Sequence, residues 1–292
     1  MRENKEVSDV EKMYFSRLNR PYWISWTDRL QLFLKLQRLK EYFEKIIKIT
    51  SWEKLNILDI GCASGGNIAL LTQYINNKIE CNFIGVDLSS TSISAANIWK
   101  NINKVANCEF YAGDSNNLFF NSNSFDIVIC LEVLEHLQVP KKAIDEIYRV
   151  LKPGGYAIIS TPSGISFQIL LKTLLNRLQC TQLVLYIKNR LRKAVYYWAD
   201  TSLNKDTTIF ESVGYGHISV KKPAVWWKIF KESGFMVKKT RSCGTLVYGG
   251  AWFDRHYWLF SFLYLVGNLF SLVPRGSHLA YDIMFLLKKP NE

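Results

Sequence analysis

Residues Leu55–Gly66 read L-N-I-L-D-I-G-C-A-S-G-G, and this stretch decides the fold. Leu55, Ile57, Leu58 and Ile60 form a short apolar run suited to a strand covered on both faces. Asp59 interrupts the run near its end, and a glycine-rich turn follows directly. From Asn67 to Tyr74 the pattern becomes helical, with Ile68, Leu70 and Leu71 apolar. Strand, tight turn and helix make the first unit of an open α/β sheet, in which ligands sit beyond the carboxyl ends of the strands. Glycine suits the turn because the backbone must bend sharply and admit a ligand with no Cβ in the way. A G-x-G-x-x-G fingerprint is met by Gly61, Ala63 and Gly66 only with alanine at the second glycine, so the turn alone does not choose the ligand.

Downstream, Asp87 closes a second apolar run, Cys81–Val86, and Gly113-Asp114 follows a third, Cys108–Tyr111. Phe125–Leu131 makes a fourth run that passes into E-V-L-E-H, and Arg149–Gly155 reads R-V-L-K-P-G-G ahead of a fifth. In order and spacing these motifs, from Leu55 to Pro162, resemble the class I S-adenosylmethionine-dependent methyltransferases, among them the ubiquinone-pathway O-methyltransferases. The family pattern is D-x-G-C-G-x-G. Ala63 stands where it has glycine, which is the least disruptive replacement, and cofactor binding is expected to survive it.

The resemblance implies an α/β fold, a Rossmann-like doubly wound seven-stranded sheet with its last strand antiparallel and an α-helical insert after the fifth strand. Gly154–Thr161, Phe235–Ser242 and Tyr281–Leu287 complete the seven strands. Helices are expected over Thr27–Ile49, Ser89–Asn103, Pro140–Leu151 and Pro223–Ser233, the third with proline in its first turn. The first of them either packs on the sheet or covers the cofactor, and Tyr22, Trp23 and Trp26 just before it would lean over the site. Four parts follow: residues 1–54, an N-terminal helical lid; 55–162, the cofactor-binding core; 163–216, a helical insert or substrate cap; and 217–292, the C-terminal part of the core with an aromatic-rich helix.

From the resemblance, the cofactor is S-adenosyl-L-methionine and the product S-adenosyl-L-homocysteine. Asp59 and the turn residues Gly61, Cys62, Ala63 and Gly65, with Asn67, would hold the amino-acid end. Asp87, joined in the cofactor set by Leu88, would take the ribose hydroxyls. A carboxylate accepts both of those hydrogen bonds in one plane, which an amide does less well; the competing role for Asp87 is a cap on the next helix. Asp114 and Ser115 would meet the adenine edge, and Cys130, Leu131 and Glu132 the wall near the sulfonium.

Methyl transfer asks mainly for alignment, because the sulfonium is already an activated donor. An oxygen acceptor of high pKa needs in addition a base, or a metal ion that acidifies it. His217, in G-Y-G-H-I-S, and His136, in E-V-L-E-H, are the catalytic candidates, with His217 either a base or acceptor-orienting group or a hydrogen-bonding hinge. In the ubiquinone-pathway enzymes the Glu, Glu and His matching Glu132, Glu135 and His136 are implicated in divalent-metal binding. The same motif orders the loop by hydrogen bonds in relatives that need no metal, and both roles stay open. His256 and His278 are read as structural.

A formal charge of +12 over 292 residues calls for an anionic partner surface: nucleic acid, membrane headgroups or an acidic substrate. Gly164–Asp200 alternates leucine-rich stretches with Lys172, Arg177, Lys188, Arg190, Arg192 and Lys193, and holds no acidic residue before Asp200. Such a basic, apolar helical pair suits a membrane interface, or else a cap on the core. Ala251–Val273 is crowded with Trp, Tyr and Phe, residues that favour the headgroup level, and a buried helix suits it equally. No run reaches the roughly 20 apolar residues of a spanning helix, and no secretory signal is visible. The expected place is the cytoplasm, peripheral to the inner face of the membrane. The six cysteines show no C-x-x-C pair and read as buried apolar side chains. Leu272–His278, L-V-P-R-G-S-H, matches a vector-derived protease linker, but the strand-like run after it makes it part of the fold.

These features favour methylation of an apolar, membrane-associated small molecule such as a quinone or phenol precursor, a polyprenyl-linked intermediate or a lipid, with oxygen as the receiving atom. The alternatives are a nucleic-acid or soluble-molecule methyltransferase, or a cofactor-binding protein without transferase activity. Against nucleic acid, C-L-E-V-L-E-H stands after the fourth strand where base-amino methyltransferases have N-P-P-Y or D-P-P-Y, and no RNA-binding module is recognisable.

Overall fold

The structure is a computed structural model that describes residues 26–50, 52–75, 79–166, 170, 217–243, 258, 261–262, 265–266 and 279–291. Helix α1 (Trp26–Ile49) precedes β1 (Lys54–Ile60), which leads through the glycine turn to α2 (Gly66–Ile75). Then come β2 (Glu80–Asp87), α3 (Ser90–Ile102), β3 (Cys108–Ala112), β4 (Phe125–Leu131), a single 3₁₀ turn (Leu134–His136), α4 (Pro140–Val150) and β5 (Leu151–Pro162). Helix α5 (Pro223–Glu232), β6 (Met236–Ser242) and β7 (Asp282–Lys288) close the described chain.

The seven strands lie in the order β3-β2-β1-β4-β5-β7-β6. β7 runs antiparallel to both of its neighbours, and the first five strands are mutually parallel. This is the expected seven-stranded sheet with its last strand reversed. β1 pairs with β2 on one side and β4 on the other, so the strand order reverses direction there, which is where open α/β sheets hold ligands.

Two apolar layers follow from the parity of the strands. Leu55, Ile57, Ile127 and Ile129 face α1, α2 and α3 through Leu39, Phe43, Ile46, Ile68, Leu71, Ala96 and Trp99. Leu58, Ile60, Val128 and Cys130 face α4 and α5 through Ala143, Ile144, Ile147, Trp226 and Phe230. Strands buried on both faces read as near-continuous apolar runs, which is why β1 and β4 were recognisable. Leu39, Phe43 and Ile46 recur at helical spacing and place α1 on the sheet as a full layer.

β5 starts at Leu151, three residues earlier than the sequence suggests. Leu151 already pairs with Phe125, and the register slips between Phe125 and Ile127. Lys152–Gly155 is therefore strand with a local irregularity. Gly154 takes φ +79° and donates its N–H toward the carbonyls of Lys289 and Pro290, both at 3.1 Å.

Met1–Asp9, Tyr22 and Trp23 lie outside the described residues. So do most of Gly164–Asp200 and of Ala251–Val273, and Leu272–His278. β7, beyond that last segment, is hydrogen-bonded into the sheet between β5 and β6. Cys62, Cys81, Cys108, Cys130 and Cys243 are free and buried, as read. Among the described residues no helix is long and apolar enough to cross a membrane.

Candidate active site

The site forms at the carboxyl ends of β1, β2, β3 and β4, and its two halves are built differently. The first half is made of backbone. After β1 the chain bends through Gly61 at φ +70°, Ala63 at +47° and Gly65 at +85°. The N–H groups of Gly61 and Cys62 both donate to the Val86 carbonyl, at 2.8 and 3.1 Å, which fastens the turn to the end of β2. A Cβ on Gly61 would come within 2.2 Å of Val133 Cγ2, so only glycine lets the turn pass under the β4 loop.

Asp87 ties the turns together. Its Oδ2 accepts from Ala63 N–H at 2.8 Å and its Oδ1 from Ser89 N–H at 2.9 Å. The cap of α3 is Ser89, whose Oγ accepts from Ser92 N–H at 3.2 Å, so helix capping does not occupy Asp87. A carboxylate has about four lone-pair sites; two are filled from inside the protein, which leaves capacity for a pair of hydroxyls. Leu88 beside it is 80% exposed, an apolar side chain open to solvent. Asp114 accepts Asn116 N–H at 2.8 Å in a local turn, while the Gly113 N–H donates to the Asp87 carbonyl at 3.0 Å, so the β3 turn is held against the β2 turn. Phe119, exposed and missed in the sequence, packs edge-on to Tyr111 and lies close to Gly113.

Asp59 is wholly buried under this cradle. The Asn67 amide donates to its two oxygens at 3.3 Å. Burial pushes the Asp59 carboxyl from its ordinary 3.8 up to about 7; the Asn67 contact opposes that shift and the charge of Asp87 adds to it.

The second half is made of side chains. Glu132 holds the left-handed conformation, φ +56°, immediately after β4. Its Oε1 accepts from Ser160 Oγ at 2.6 Å and its Oε2 lies 3.2 Å from Lys35 Nζ. Lys35 reaches in from α1 and also pairs with Asp282 Oδ2 at 3.2 Å. Burial alone would lower the Lys35 pKa, but Asp282 and Glu132 more than offset it, and the ammonium is held charged. Burial raises Asp282 to about 7, with Glu132 adding to the shift and Lys35 opposing it. Neither Lys35 nor Asp282 was anticipated. The available signal was spacing, since Lys35 sits one turn before Leu39, Tyr42 and Ile46 on the buried face of α1.

Glu135 is fully buried, and among the described residues no other side chain hydrogen-bonds its carboxylate. Its backbone carbonyl accepts from both Ile218 and Ser219 N–H, each at 2.9 Å, and this pair of hydrogen bonds holds the returning chain on the 3₁₀ turn and sets His217 beside it. His136 and His217 meet with ring centroids 5.1 Å apart, and Glu135 Oε1 lies 3.7 Å from His136 Nε2. Desolvation and then the neighbouring His136 lower the His217 pKa, which favours the neutral imidazole.

The structure thus brings Glu135, His136 and His217 together, each offering a ligand atom within 4.8 Å of the others. Glu132, expected in that set, is diverted to Lys35 and Ser160. Cys130 was expected on the wall near the sulfonium and is instead buried in the layer facing α4, because strand alternation turns residue 130 away from the face that Leu131 shares with Ile129. Gly65 and Asn67 lie in and just after the β1 turn, and Asp87 is bonded to that turn through Ala63.

An open doubly wound sheet with a reversed last strand, a glycine turn after β1 and a carboxylate ending β2 defines a nucleoside-cofactor-binding α/β core. Residues 58–159 match the family model described as a methyltransferase domain, and this core is similar to the class I S-adenosylmethionine-dependent methyltransferases. The mitochondrial ubiquinone biosynthesis O-methyltransferase of Dictyostelium discoideum is 33% identical over 136 residues, 42% of this chain and 41% of that protein. The sterol 24-C-methyltransferase of Debaryomyces hansenii is 32% identical over 104 residues, covering 35% and 26%. The chain thus spans less than half the length of these curated relatives. A SAM-dependent methyltransferase structure from Aquifex aeolicus shares the fold at TM-score 0.51 and 15% identity, over 97% of both chains. The family implies S-adenosylmethionine, and the residues fit it through the spare lone pairs of Asp87, the exposed face of Leu88 and the buried carboxyl of Asp59 below the turn.

Proposed function

We propose that this protein transfers a methyl group from S-adenosylmethionine to an oxygen of an apolar, membrane-associated small molecule of the quinone-precursor, phenol, polyprenyl-linked or lipid kind. The observation that carries the reading is the juxtaposition of the backbone cradle with the Glu135–His136–His217 cluster, across the end of β4. The cradle holds the donor, and the cluster stands where an acceptor hydroxyl must be oriented and lose its proton. The matched relatives act on different atoms, as their names state, so the match to the shared core does not by itself choose the acceptor.

Two features support an apolar acceptor at a bilayer. Trp258, Phe262 and Leu265 are each helical and exposed, and they stand at the i, i+4 and i+7 spacing of one helix face. The +12 charge favours anionic headgroups, to which each nearby Lys or Arg adds about 1 kcal/mol.

The test is calorimetric titration with S-adenosylmethionine, followed by transfer of a labelled methyl group to apolar phenols and quinols presented in anionic liposomes, at low and high salt. Cofactor binding with transfer to a liposome-borne hydroxyl is the expected result. Cofactor binding with transfer only to soluble molecules or nucleic acid would move the substrate class. Binding without any transfer would leave a cofactor-binding protein.

A further inference from the structure

We propose that the outer edge of the sheet, β6 with the adjoining flank of α1, is a docking surface for the anionic headgroups of a phospholipid bilayer. β6 is the last strand of the sheet order, so one of its edges pairs with no strand among the described residues. Its pairing with β7 sets Lys239 opposite Leu286 and Arg241 opposite Met284, two residues of the apolar layer that faces α1. Opposed residues share a face of the sheet, so Lys239 and Arg241 stand beside α1. Thr240, between them, faces the other way, and its Oγ1 accepts from Trp227 Nε1 of α5 at 3.0 Å. Arg38 of α1 bridges to the strand, donating through Nε to the Ser242 carbonyl at 3.1 Å. Lys45 lies two turns further along the helix. Lys288 places its Nζ 5.6 Å from the centre of the Tyr156 ring, and Lys238 acts electrostatically on Tyr156 as well.

Basic residues are gathered here where they repel one another. Arg241, Lys45 and Arg38 all lower the pKa of Lys239, adding to desolvation, and Glu41, which pairs with Arg38, opposes them. Like charges held together work against the compact state, and an anion laid over them relieves that repulsion. Lys45, Lys238 and Arg241 are exposed, and the cations are strung along a strand and a helix flank, an arrangement for an extended anionic surface. Bases would find nothing to stack on, because Tyr42 and Tyr156, the rings beside these cations, are buried. Lipid is therefore favoured over nucleic acid. The patch also begins next to the cleft: Arg38 stands one turn beyond Lys35, which ties α1 to Glu132, and Ser242 pairs with Ile283, itself the partner of Thr161 near the end of β5. A bilayer on this flank meets the molecule near the acceptor end. An overall charge of +12 would draw headgroups to any side; the clustering assigns one. The use of this surface to admit an acceptor rests on the proposed methyl transfer, whereas headgroup binding does not.

The experiment is co-sedimentation of the 292-residue chain with vesicles of phosphatidylcholine alone and with added phosphatidylglycerol, at low and high salt. The parent should bind the anionic vesicles at low salt and release them at high salt. Each basic residue near an anionic leaflet is worth roughly fivefold in affinity. Lys239→Gln/Arg241→Gln should therefore weaken that binding roughly twentyfold, and Lys239→Glu/Arg241→Glu should weaken it further. The control is Lys228→Glu/Lys231→Glu on the exposed side of α5, across the sheet, which takes the net charge from +12 to +8 just as the β6 reversal does. It should bind close to the parent. S-adenosylmethionine affinity, measured on every variant, reports an intact fold, and the neutralising pair keeps the test decisive if the reversal fails to fold. Three results would overturn this docking surface: a parent indifferent to phosphatidylglycerol, an α5 pair that costs as much as the β6 pair, or β6 variants that lose a short RNA strand but not vesicles. Vesicle binding through β6 without methyl transfer to any vesicle-borne hydroxyl would leave the surface standing and remove the proposed acceptor class. Transfer to such a hydroxyl, with vesicle binding unaffected by the β6 substitutions, would do the reverse.

Discussion

The two ends of the cleft solve the same problem, holding a small molecule still, in opposite ways. The cofactor end is built from backbone. Consecutive N–H groups in the Gly61–Gly66 turn, one carboxylate at the end of β2 and a second turn after β3 are pinned to one another by main-chain bonds. The acceptor end is built from side chains of α1, the β4 loop, the return at His217 and the start of β7, joined by ion pairs and two backbone bonds. A backbone cradle suits a ligand common to proteins that share this core. A side-chain assembly can be rebuilt without disturbing the cradle, which is what the choice of an acceptor asks of it under the proposed function.

If that contrast is right, the acceptor end should be the more fragile under single substitutions. Lys35→Met leaves Glu132 and Asp282 facing each other with their shared cation gone. Removing one partner of a largely buried ion network costs about 3–5 kcal/mol, so urea unfolding should shift by that amount. Adding Asp282→Asn should recover part of the loss, because one uncompensated charge is then removed. Equal stability of Lys35→Met and the parent would show that α1 is held by its apolar stripe alone.

At the cofactor end, Asp87→Ala should cost ligand rather than fold. Hydrogen bonds to a charged group are worth about 2 kcal/mol, so S-adenosylmethionine affinity should fall roughly thirtyfold by calorimetry, with a smaller effect on the unfolding midpoint. An unchanged affinity would take Asp87 out of the ribose site and leave it only the Ala63 and Ser89 contacts.

The same contrast explains what was legible in the sequence. Each motif of the cradle is contiguous, and its chemistry follows from local needs: glycine where a Cβ would strike Val133, a carboxylate where a strand ends. The central strands β1, β4 and β7 were readable because burial on both faces leaves near-continuous apolar runs. The acceptor end was readable only in fragments. His136 and His217 stood out by residue type, but the roles of Glu132 stayed open because nothing local reveals Ser160, 28 residues on. Lys35 looked like one more surface lysine until the helix face was counted, and Asp282 is a single carboxylate opening an apolar strand. Cys130 was placed on the wrong face because the register of β4 depends on its pairing with β1 and β5.

Asp59 offers a pH test confined to the cradle. In the unliganded protein its carboxyl titrates near 7, facing Asp87 on β2, Cys62 in the turn and Cys130 on β4. The cofactor's ammonium, placed at this end by the family resemblance, favours the carboxylate, so binding below that pKa must release a proton. Affinity should therefore rise as pH is raised toward 7, by at most about tenfold per unit, and level off above it. For the unliganded fold the sign is opposite: a raised folded-state pKa gives stability that is fully present below 3.8 and lost as pH climbs to about 7. Asp59→Asn should flatten both curves. A pH-independent affinity in the parent would place the ammonium elsewhere.

The smallest expected effect tests the backbone end most directly. Ala63 holds φ +47° while its N–H bonds Asp87, a conformation that costs an L-residue with a side chain roughly 1–2 kcal/mol. Glycine adopts it freely but gives back part of that gain, because it loses more conformational freedom on folding. Ala63→Gly should therefore stabilise the chain by about 1 kcal/mol, or about 2–4 °C in Tm for a chain of this size, with cofactor affinity kept or improved. Had the turn been positioned by side chains, the same change would only loosen it. A destabilised Ala63→Gly would mean that the alanine methyl packs usefully in the cradle, and the division between a backbone-built and a side-chain-built end would be less sharp than drawn.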